Sequence, residues 1–246
     1  MERECLILRS VRYSDHDRVV TFFSKDEGLL SGFARGANGP GNRFGAALEP
    51  LTWSYLIGRH HLEGTLYRIH KASVIDCFIA LREDLERMYW AGAAVRLLLS
   101  LLPPQHPEQP LFDSMIRYLK DLESERPAPS LSWLRFASLA LVFLGYGIQS
   151  GNCYRCHEDL SGRTVTYHVA DGKILCRQCL GSDGKRDGVW TQTDVLALLE
   201  RWGKNEDVHV PVPADWIDNA ISLIDSVFGH HIQNWIPVRS LPLSLG

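Results

Sequence analysis

Four cysteines in two closely spaced pairs are the feature that most restricts how this chain can fold. Cys153 and Cys156 form the first pair, Cys176 and Cys179 form the second, and 19 residues lie between the pairs. Two thiols at this spacing can reach one ion from a single tight turn. Two such turns complete the tetrahedral four-thiolate shell that Zn²⁺ prefers. The pattern therefore predicts one zinc ion per chain, bound by all four cysteines.

The residues between the cysteine pairs predict a β-hairpin. Residues 164–168 and 173–175 have strand character, and Asp171-Gly172 is a favourable turn between them. Together with the cysteine pairs, this hairpin is typical of a zinc ribbon, here over residues 150–184. A closed four-cysteine shell leaves no position for water or substrate, so the predicted zinc is structural.

Two other interpretations of the cysteines are weaker. Two disulfides would require an oxidising compartment, which nothing in the sequence indicates. A redox Cys-x-x-Cys pair would lie at a strand-to-helix turn of a βαβ unit, and the flanking residues do not form such a unit. We expect the two remaining cysteines, Cys5 and Cys77, to be reduced thiols.

The composition predicts a globular, cytoplasmic protein. Of the 246 residues, 45% are hydrophobic and 22% are charged. There is no uninterrupted apolar run of about 18 residues, the length of a membrane span, and residues 1–5 lack the basic start of a signal peptide. The formal net charge of −3 argues neither for nor against nucleic-acid binding, because the position of the charges matters more than their sum.

Residues 1–77 predict a small closed β-barrel. Strict alternation places Cys5, Ile7 and Arg9 on one side of the first strand. Four further strands are predicted at 18–24, 29–35, 51–57 and 62–75. The OB-fold is the commonest five-stranded Greek-key barrel; an SH3-like barrel is the alternative.

From Phe78 onward the apolar period becomes helical. Spacings of three and four residues predict a long helix over 78–102, which Pro103-Pro104 ends. Further helices are predicted at 111–122, 131–144, 191–202 and 216–228, with Ser130 as the N-cap of the 131–144 helix. The fold class is therefore α+β and multidomain: an OB-fold barrel (1–77), a helical domain (78–149), an inserted zinc ribbon (150–184) and the C-terminal part of the helical domain (185–246).

The barrel also carries candidate contacts for a nucleic acid. Arg35 and Arg43 bracket a loop rich in glycine and asparagine, and such flanking guanidiniums suit a phosphate backbone. The full set of candidate DNA-binding residues is Arg9, Arg12, Arg35, Arg43, Arg59, Arg68 and Lys71. The candidate aromatic residues for base stacking are Tyr13, Phe33, Phe44, Trp53, Tyr55 and Tyr67, each of which is more often a core residue.

No catalytic residues are predicted. The 36–43 loop lacks the Gly-Lys-Ser/Thr ending of a nucleotide-binding loop and leads into no helix. The sequence contains neither Gly-x-Ser-x-Gly nor His-Glu-x-x-His. We therefore expect a binding protein and not an enzyme.

Short motifs along the chain, in a fixed order, resemble the RecO family of bacterial DNA repair and recombination mediators. They are Leu8-Arg9-Ser10, Tyr13-Ser14-Asp15-His16-Asp17, Gly28-Leu29-Leu30, Ala34-Arg35-Gly36-Ala37, Phe44-Gly45-Ala46-Ala47-Leu48-Glu49-Pro50, Leu81-Arg82-Glu83-Asp84-Leu85, Leu134-Arg135-Phe136 and Leu144-Gly145-Tyr146-Gly147. The likeness covers about residues 3–240.

The resemblance implies binding of single- and double-stranded DNA and annealing of complementary strands. It implies partnership with RecR, through which the family helps load the recombinase RecA onto DNA coated by the single-stranded-DNA-binding protein SSB. It also implies a nucleoid-associated protein whose helical domain receives the acidic tail of SSB. Arg135, in the matching Leu-Arg-Phe segment, is the candidate residue for that tail.

One segment departs from the family pattern. The loop after Ala-Arg-Gly-Ala is usually rich in lysine and arginine, but here it reads Asn38-Gly39-Pro40-Gly41-Asn42. Fewer phosphate contacts predict weaker DNA binding and a smaller salt dependence. The alternative function is therefore a protein-interaction adaptor with little DNA binding of its own.

Overall fold

The chain folds into two units, residues 1–126 and 127–246. The structure is a computed structural model, and it describes residues 2–39, 41–60, 66–124, 127–181, 188–208 and 210–240. The division between the units runs through the 78–149 segment. The domain boundaries predicted from the sequence remain a proposal.

Five strands of the first unit close into a barrel. They are β1 (Glu2–Arg12), β2 (Arg18–Ser24), β3 (Gly28–Ala34), β4 (Trp53–His60) and β5 (Leu66–Asp76). Their order around the barrel is β1-β2-β3-β5-β4, and β3 pairs with β5 in parallel while the other neighbours are antiparallel. This OB-like Greek-key barrel confirms the predicted fold class.

The barrel interior is apolar. The strands contribute alternate side chains to it because successive residues point to opposite faces of a sheet. The buried residues of this core are Cys5, Ile7, Val20, Phe22, Leu30, Ala34, Ala37, Phe44, Leu48, Leu56, Tyr67 and Ile69.

A bulge in β1 changes the direction of one predicted site residue. Ile7 pairs with Phe22 and Arg9 pairs with Thr21, so Leu8 is an extra residue in this strand. The extra residue turns Arg9 to the outside, where it is exposed. The prediction that Arg9 shares a side with Cys5 and Ile7 is therefore wrong.

Strands β4 and β5 differ at their ends from the prediction. β4 continues to His60 instead of ending near Ile57, so Arg59 is a strand residue. A Cβ on Gly58 would lie 2.1 Å from the carbonyl oxygen of Arg68, so glycine permits the close pairing of the two strands here. Residues 62–65 of the predicted fifth strand lie outside the described residues.

Three helices follow the barrel in the first unit: α1 (Ile79–Arg82), α2 (Leu85–Leu101) and α3 (Gln109–Glu123). The single long helix predicted for 78–102 is wrong. The chain breaks at Asp84, whose side chain accepts hydrogen bonds from the amides of Glu86 and Arg87 and so caps a new helix. Leu85 of the predicted apolar stripe is 64% exposed.

Helix α3 packs against one side of the barrel. Phe112 of α3 packs edge-on against Phe23 with ring centroids 5.4 Å apart. On the same side, Lys25 Nζ lies 2.8 Å from an oxygen of Asp113.

The second unit combines helices with a small sheet. The helices are α4 (Pro129–Phe143), α5 (Arg177–Gly181), α6 (Thr193–Gly203) and α7 (Ala214–His231). The strands are β6 (Thr164–His168), β7 (Lys173–Leu175) and β8 (Val189–Gln192), in the order β7-β6-β8. No helix in the described stretches of the chain has both the length and the apolar character to cross a bilayer.

Two predicted helix starts in this unit are wrong. α4 begins at Pro129 after Ala128, and Ser130 lies inside it; proline suits the first helical turn because the amide there needs no partner. Thr191 and Gln192 belong to strand β8, so α6 begins at Thr193. The predicted hairpin of β6 and β7 is present, with Gly172 at a positive φ of 67° in its turn.

Candidate metal centre and nucleic-acid interface

The four predicted metal ligands lie together. The Sγ atoms of Cys153, Cys156, Cys176 and Cys179 all lie within 4.8 Å of one another. The Sγ atoms of Cys156 and Cys176 are 3.9 Å apart. In a tetrahedral shell with Zn–S bonds of about 2.3 Å, neighbouring sulfur atoms are about 3.8 Å apart. The cluster therefore has the dimensions of a four-thiolate metal centre.

Two tight turns bring the cysteine pairs into place. In the first, the Cys153 amide donates to the carbonyl oxygen of Glu158 at 2.9 Å, and the His157 amide donates to that of Cys153 at 2.9 Å. His157 adopts a positive φ of 60° in this turn. The second turn starts where β7 ends, and the Leu180 amide donates to the carbonyl oxygen of Cys176 at 3.0 Å.

Backbone amides favour the thiolate form of one ligand. Burial raises the pKa of Cys153, but hydrogen bonds from the amides of Cys156, Cys176 and Arg155 outweigh it and lower the pKa to about 6. Hydrogen bonding with Cys176 raises the pKa of Cys179 to about 12. All six cysteines are free thiols. Since metal ligands must be deprotonated, ion binding at this cluster releases protons.

Three of the predicted DNA-binding residues meet on one side of the barrel. One row of cross-strand neighbours crosses all five strands. It consists of Val11 on β1, Val19 on β2, Phe33 on β3, Arg68 on β5 and Arg59 on β4. In the adjacent row, Arg9 is the neighbour of Thr21, Thr21 of Ser31 and Ser31 of Leu66. We name the outward side chains of these two rows, together with Tyr13, the arginine face.

The arginine face is positively charged. Arg9 and Arg59 are exposed and Arg68 is partly buried. Within the described ranges no carboxylate forms an ion pair with any of the three, and the two rows contain no acidic residue. Directly opposed like charges such as Arg59 and Arg68 are unfavourable in a sheet, so an anion between them would relieve this repulsion.

Two aromatic rings lie on the same face. Tyr13 is 71% exposed and meets Phe33 edge to face, with ring centroids 5.6 Å apart. The other aromatic candidates lie elsewhere. Phe44 and Tyr67 are buried in the barrel core, Trp53 lies under the Lys120 ammonium group, and Tyr55 is exposed on another side of the barrel.

The predicted loop residues are less available than expected. The Gly36 amide donates to Asp17 at 2.9 Å, which lowers the pKa of that carboxyl, and the Asn38 amide donates to the carbonyl oxygen of His16 at 2.9 Å. These bonds tie the 36–42 loop to the β1–β2 turn. Arg35 lies near the Asp17 carboxylate.

Two further predicted DNA-binding residues, Arg12 and Arg43, also have local partners. Arg12 Nη2 lies 2.7 Å from Asp15 Oδ1. Arg43 is exposed and lies over the ring of Phe44, 5.1 Å from its centroid. Neither residue belongs to the two arginine rows.

Lys71 lies in a different outward row from the arginines. Its cross-strand neighbour is Ile57, whose other neighbour is Glu2; the next row contains Ser73, Tyr55 and Glu4. We name the outward side chains of these rows the glutamate face. Sequence reasoning did not separate the two faces, because the strand register that creates them depends on two bulges between β4 and β5 and one in β1.

Arg135, the predicted contact for an acidic tail, has a partner within its own unit. Its Nη2 atom donates to Asp207 Oδ1 at 2.6 Å, and its side chain is 27% exposed. An acidic ligand at this position would have to replace Asp207.

The chain matches two family models over most of its length. The model described as Recombination protein O N terminal matches residues 1–78, and the model described as Recombination protein O C terminal matches residues 82–241. The first match coincides with the barrel, and the second includes the cysteine cluster.

Curated relatives carry the same family name. The chain is 36% identical to the DNA repair protein RecO of Anaeromyxobacter dehalogenans over 71% of this chain and 68% of the relative. It is 29% identical to that of Myxococcus xanthus over 94% and 93%, and 28% identical to that of Geobacter sulfurreducens over 97% and 94%. With both halves matched by the family's models and relatives aligned along most of their length, the chain belongs to the RecO family of DNA repair proteins.

Proposed function

We propose that the chain is a non-enzymatic mediator of homologous recombination that binds single- and double-stranded DNA through the arginine face. In this role it anneals complementary strands and, with RecR, helps load RecA onto DNA coated by SSB. Membership of the RecO family supports the proposal. OB-folds in general bind oligonucleotides on the surface of β2 and β3 and on adjacent loops. Such a protein acts in the cytoplasm, at the nucleoid.

The cross-strand row of Phe33, Arg68 and Arg59 is the observation that carries this proposal. Guanidiniums bind phosphates by charge-assisted hydrogen bonds, and each neutralised phosphate releases counterions. Exposed aromatic rings stack on unpaired bases without regard to sequence. On the arginine face, Arg9, Arg59 and Arg68 would therefore contact the phosphate backbone of the DNA, and Tyr13 would stack on a base.

We propose that the four-cysteine cluster holds one structural Zn²⁺. The tetrahedral size of the cluster and its all-sulfur ligand set suit zinc. With four protein ligands the ion has no free position, and its role is to fix the two turns around the β6–β7 hairpin. The ribbon then spans residues 150–184, between helical segments 78–149 and 185–246 and after a DNA-binding barrel at 1–77.

A specific observation favours the alternative of an adaptor with little DNA binding of its own. Arg12 is paired with Asp15, and Arg35 lies near the Asp17 carboxylate. The loop between Arg35 and Arg43 contains no lysine or arginine. On this alternative, DNA affinity comes mainly from RecR, and the SSB tail would bind beside Arg135 by displacing Asp207.

A titration with single-stranded DNA at several salt concentrations, with and without RecR, distinguishes these functions. Binding by the chain alone, with a log–log salt slope of about −2 or steeper from three phosphate contacts, supports the mediator. Binding that requires RecR supports the adaptor. Arg35→Ala combined with Arg43→Ala tests the loop separately. An unchanged affinity for DNA would show that these two residues do not belong to the DNA-binding site.

A further inference from the structure

Trp190 is a large aromatic residue that the fold leaves at the surface of the second unit. It lies in strand β8 and is 49% exposed, while the next residue, Thr191, is buried. Exposed tryptophans at fixed positions are typical of binding surfaces, because an indole ring supplies much contact area at little conformational cost. The surroundings of Trp190 therefore show what it could bind.

Strand β8 is fastened to helix α7 beside this residue. Asn219 Nδ2 donates to the carbonyl oxygen of Trp190 at 3.0 Å, and Thr191 Oγ1 donates to Asn219 Oδ1. Asp215 and Trp216 precede Asn219 by four and three residues, so the three side chains share one face of α7. A second indole and a carboxylate are thus held next to Trp190.

These residues line a pocket of about 220 Å³. Pockets that hold drug-sized ligands measure about 300–1,000 Å³. The smaller space suits one side chain of a partner and is too small for a larger cofactor. The two hydrogen bonds of Asn219 hold the walls of the pocket in place in the absence of a ligand.

The charge of the pocket selects its ligand. Among the described residues, no lysine or arginine lines it and none forms an ion pair with Asp215. Asp215 also stabilises the N-terminus of α7, but that role leaves its carboxylate oxygens accessible, since the residue is exposed. An anion would be repelled here, and an uncharged ligand would leave the carboxylate without a partner.

The geometry points to a cation pocket in which Trp190, Trp216 and Asp215 hold an arginine or lysine side chain of a partner protein. Indole rings attract cations more strongly than other aromatic rings do. A guanidinium can lie on an indole face while its N–H groups reach a carboxylate. This surface lies in residues 127–246 and acts independently of the DNA-binding role proposed for the barrel.

Nuclear magnetic resonance of the indole N–H groups tests the pocket directly. The chain has seven tryptophans, and Trp190→Phe and Trp216→Phe assign the two relevant signals. The probe is Nα-acetyl-arginine amide, and its uncharged isostere Nα-acetyl-citrulline amide is the control. We expect the arginine compound to shift both signals in a saturable way and the citrulline compound to leave them in place.

Two acid substitutions separate the pocket from general charge attraction. Asp215→Asn should weaken binding of the arginine compound at least fivefold. Glu206→Gln removes an exposed carboxylate that pairs with Arg201, outside the pocket, and should leave the affinity unchanged. The inference is overturned if neither indole signal moves, if citrulline binds equally well, if both substitutions act alike, or if oligo(dT) shifts these signals more strongly than arginine does.

Discussion

The arginine face and the glutamate face are built in the same way on one barrel, but they carry opposite charges. Both consist of outward side chains in cross-strand register, and β4 contributes to both through Arg59 and through Tyr55 and Ile57. The arginine face has three cations and no acid in its rows, whereas the glutamate face has Glu2 and Glu4 against a single cation, Lys71. A phosphate backbone is attracted to the first and repelled by the second.

This difference shows why the net charge of −3 is a poor guide to function. Screening limits charge interactions to about 8–10 Å at physiological salt. A polyanion therefore responds to the charges near the surface that it contacts and hardly to those more than about 10 Å away. The barrel can therefore present a locally positive surface within an acidic chain.

The largest effect is expected when one of the four cysteines is replaced. This substitution tests whether the arginine face binds DNA without the metal. Cys176→Ser should reduce bound zinc from about one ion per chain to none and unfold the ribbon, because a structural zinc contributes folding energy. Affinity for single-stranded DNA should change less than about twofold, since the face lies in the other unit. Metal analysis and a DNA titration measure both; a complete loss of DNA binding would tie the arginine face to the metal.

The next effect is the removal of the positive charge itself. Arg9→Ala, Arg59→Ala and Arg68→Ala together should weaken single-stranded DNA binding about 100-fold at 0.1 M salt and reduce the salt slope by about 2, because three phosphate contacts are lost. Fluorescence anisotropy at several salt concentrations measures both quantities. The matched control, Glu2→Gln with Glu4→Gln, should change affinity less than about twofold. Equal effects of the two variants would abolish the distinction between the faces.

A smaller effect is expected from the aromatic residues. Tyr13→Ala should weaken binding of single-stranded DNA about tenfold, with an unchanged salt slope, because it removes one stacking contact and no charge. Duplex DNA, whose bases are already stacked, should bind as before. Tyr55→Ala on the glutamate face is the control and should have no effect on either. A loss of duplex binding with Tyr13→Ala would indicate a structural role for this ring.

The smallest effect compares single cations on the same strand. Arg68→Ala should lower DNA affinity about fivefold at 0.1 M salt, which corresponds to one phosphate contact. Lys71→Ala, three residues further along β5, should lower it less than about twofold because its neighbours are Ile57 and Glu2. If Lys71 proves as important as Arg68, DNA crosses onto the glutamate face.

Local patterns sufficed to predict the four-cysteine cluster and the barrel. Cysteine spacing alone predicted that the four thiols lie together, and alternation predicted five strands, each of which overlaps a strand of the barrel. The break at Asp84 also had a local signal, because aspartate is one of the preferred N-cap residues of a helix. The apolar period that runs through it concealed this signal.

Features that depend on register or on tertiary pairing could not be predicted. The outward position of Arg9 follows from one extra residue in β1, and the sequence carries no mark of that bulge. Strand β8 is only four residues long and is stabilised by pairing with β6 and by Asn219. The assembly of Arg9, Arg59 and Arg68 into one face required both the register and the closure of the barrel.

The parallel pairing of β3 with β5 has a consequence for how this barrel meets other molecules. Because that pairing joins the two ends of the sheet, all five strands have neighbours on both sides. The closure is partial, since β1 meets β4 over residues 2–6 and β3 meets β5 over residues 31–34, so a partner peptide finds less free strand edge to extend and association through exposed edges is reduced. Recognition by this barrel rests on its side chains, which single substitutions can change one at a time.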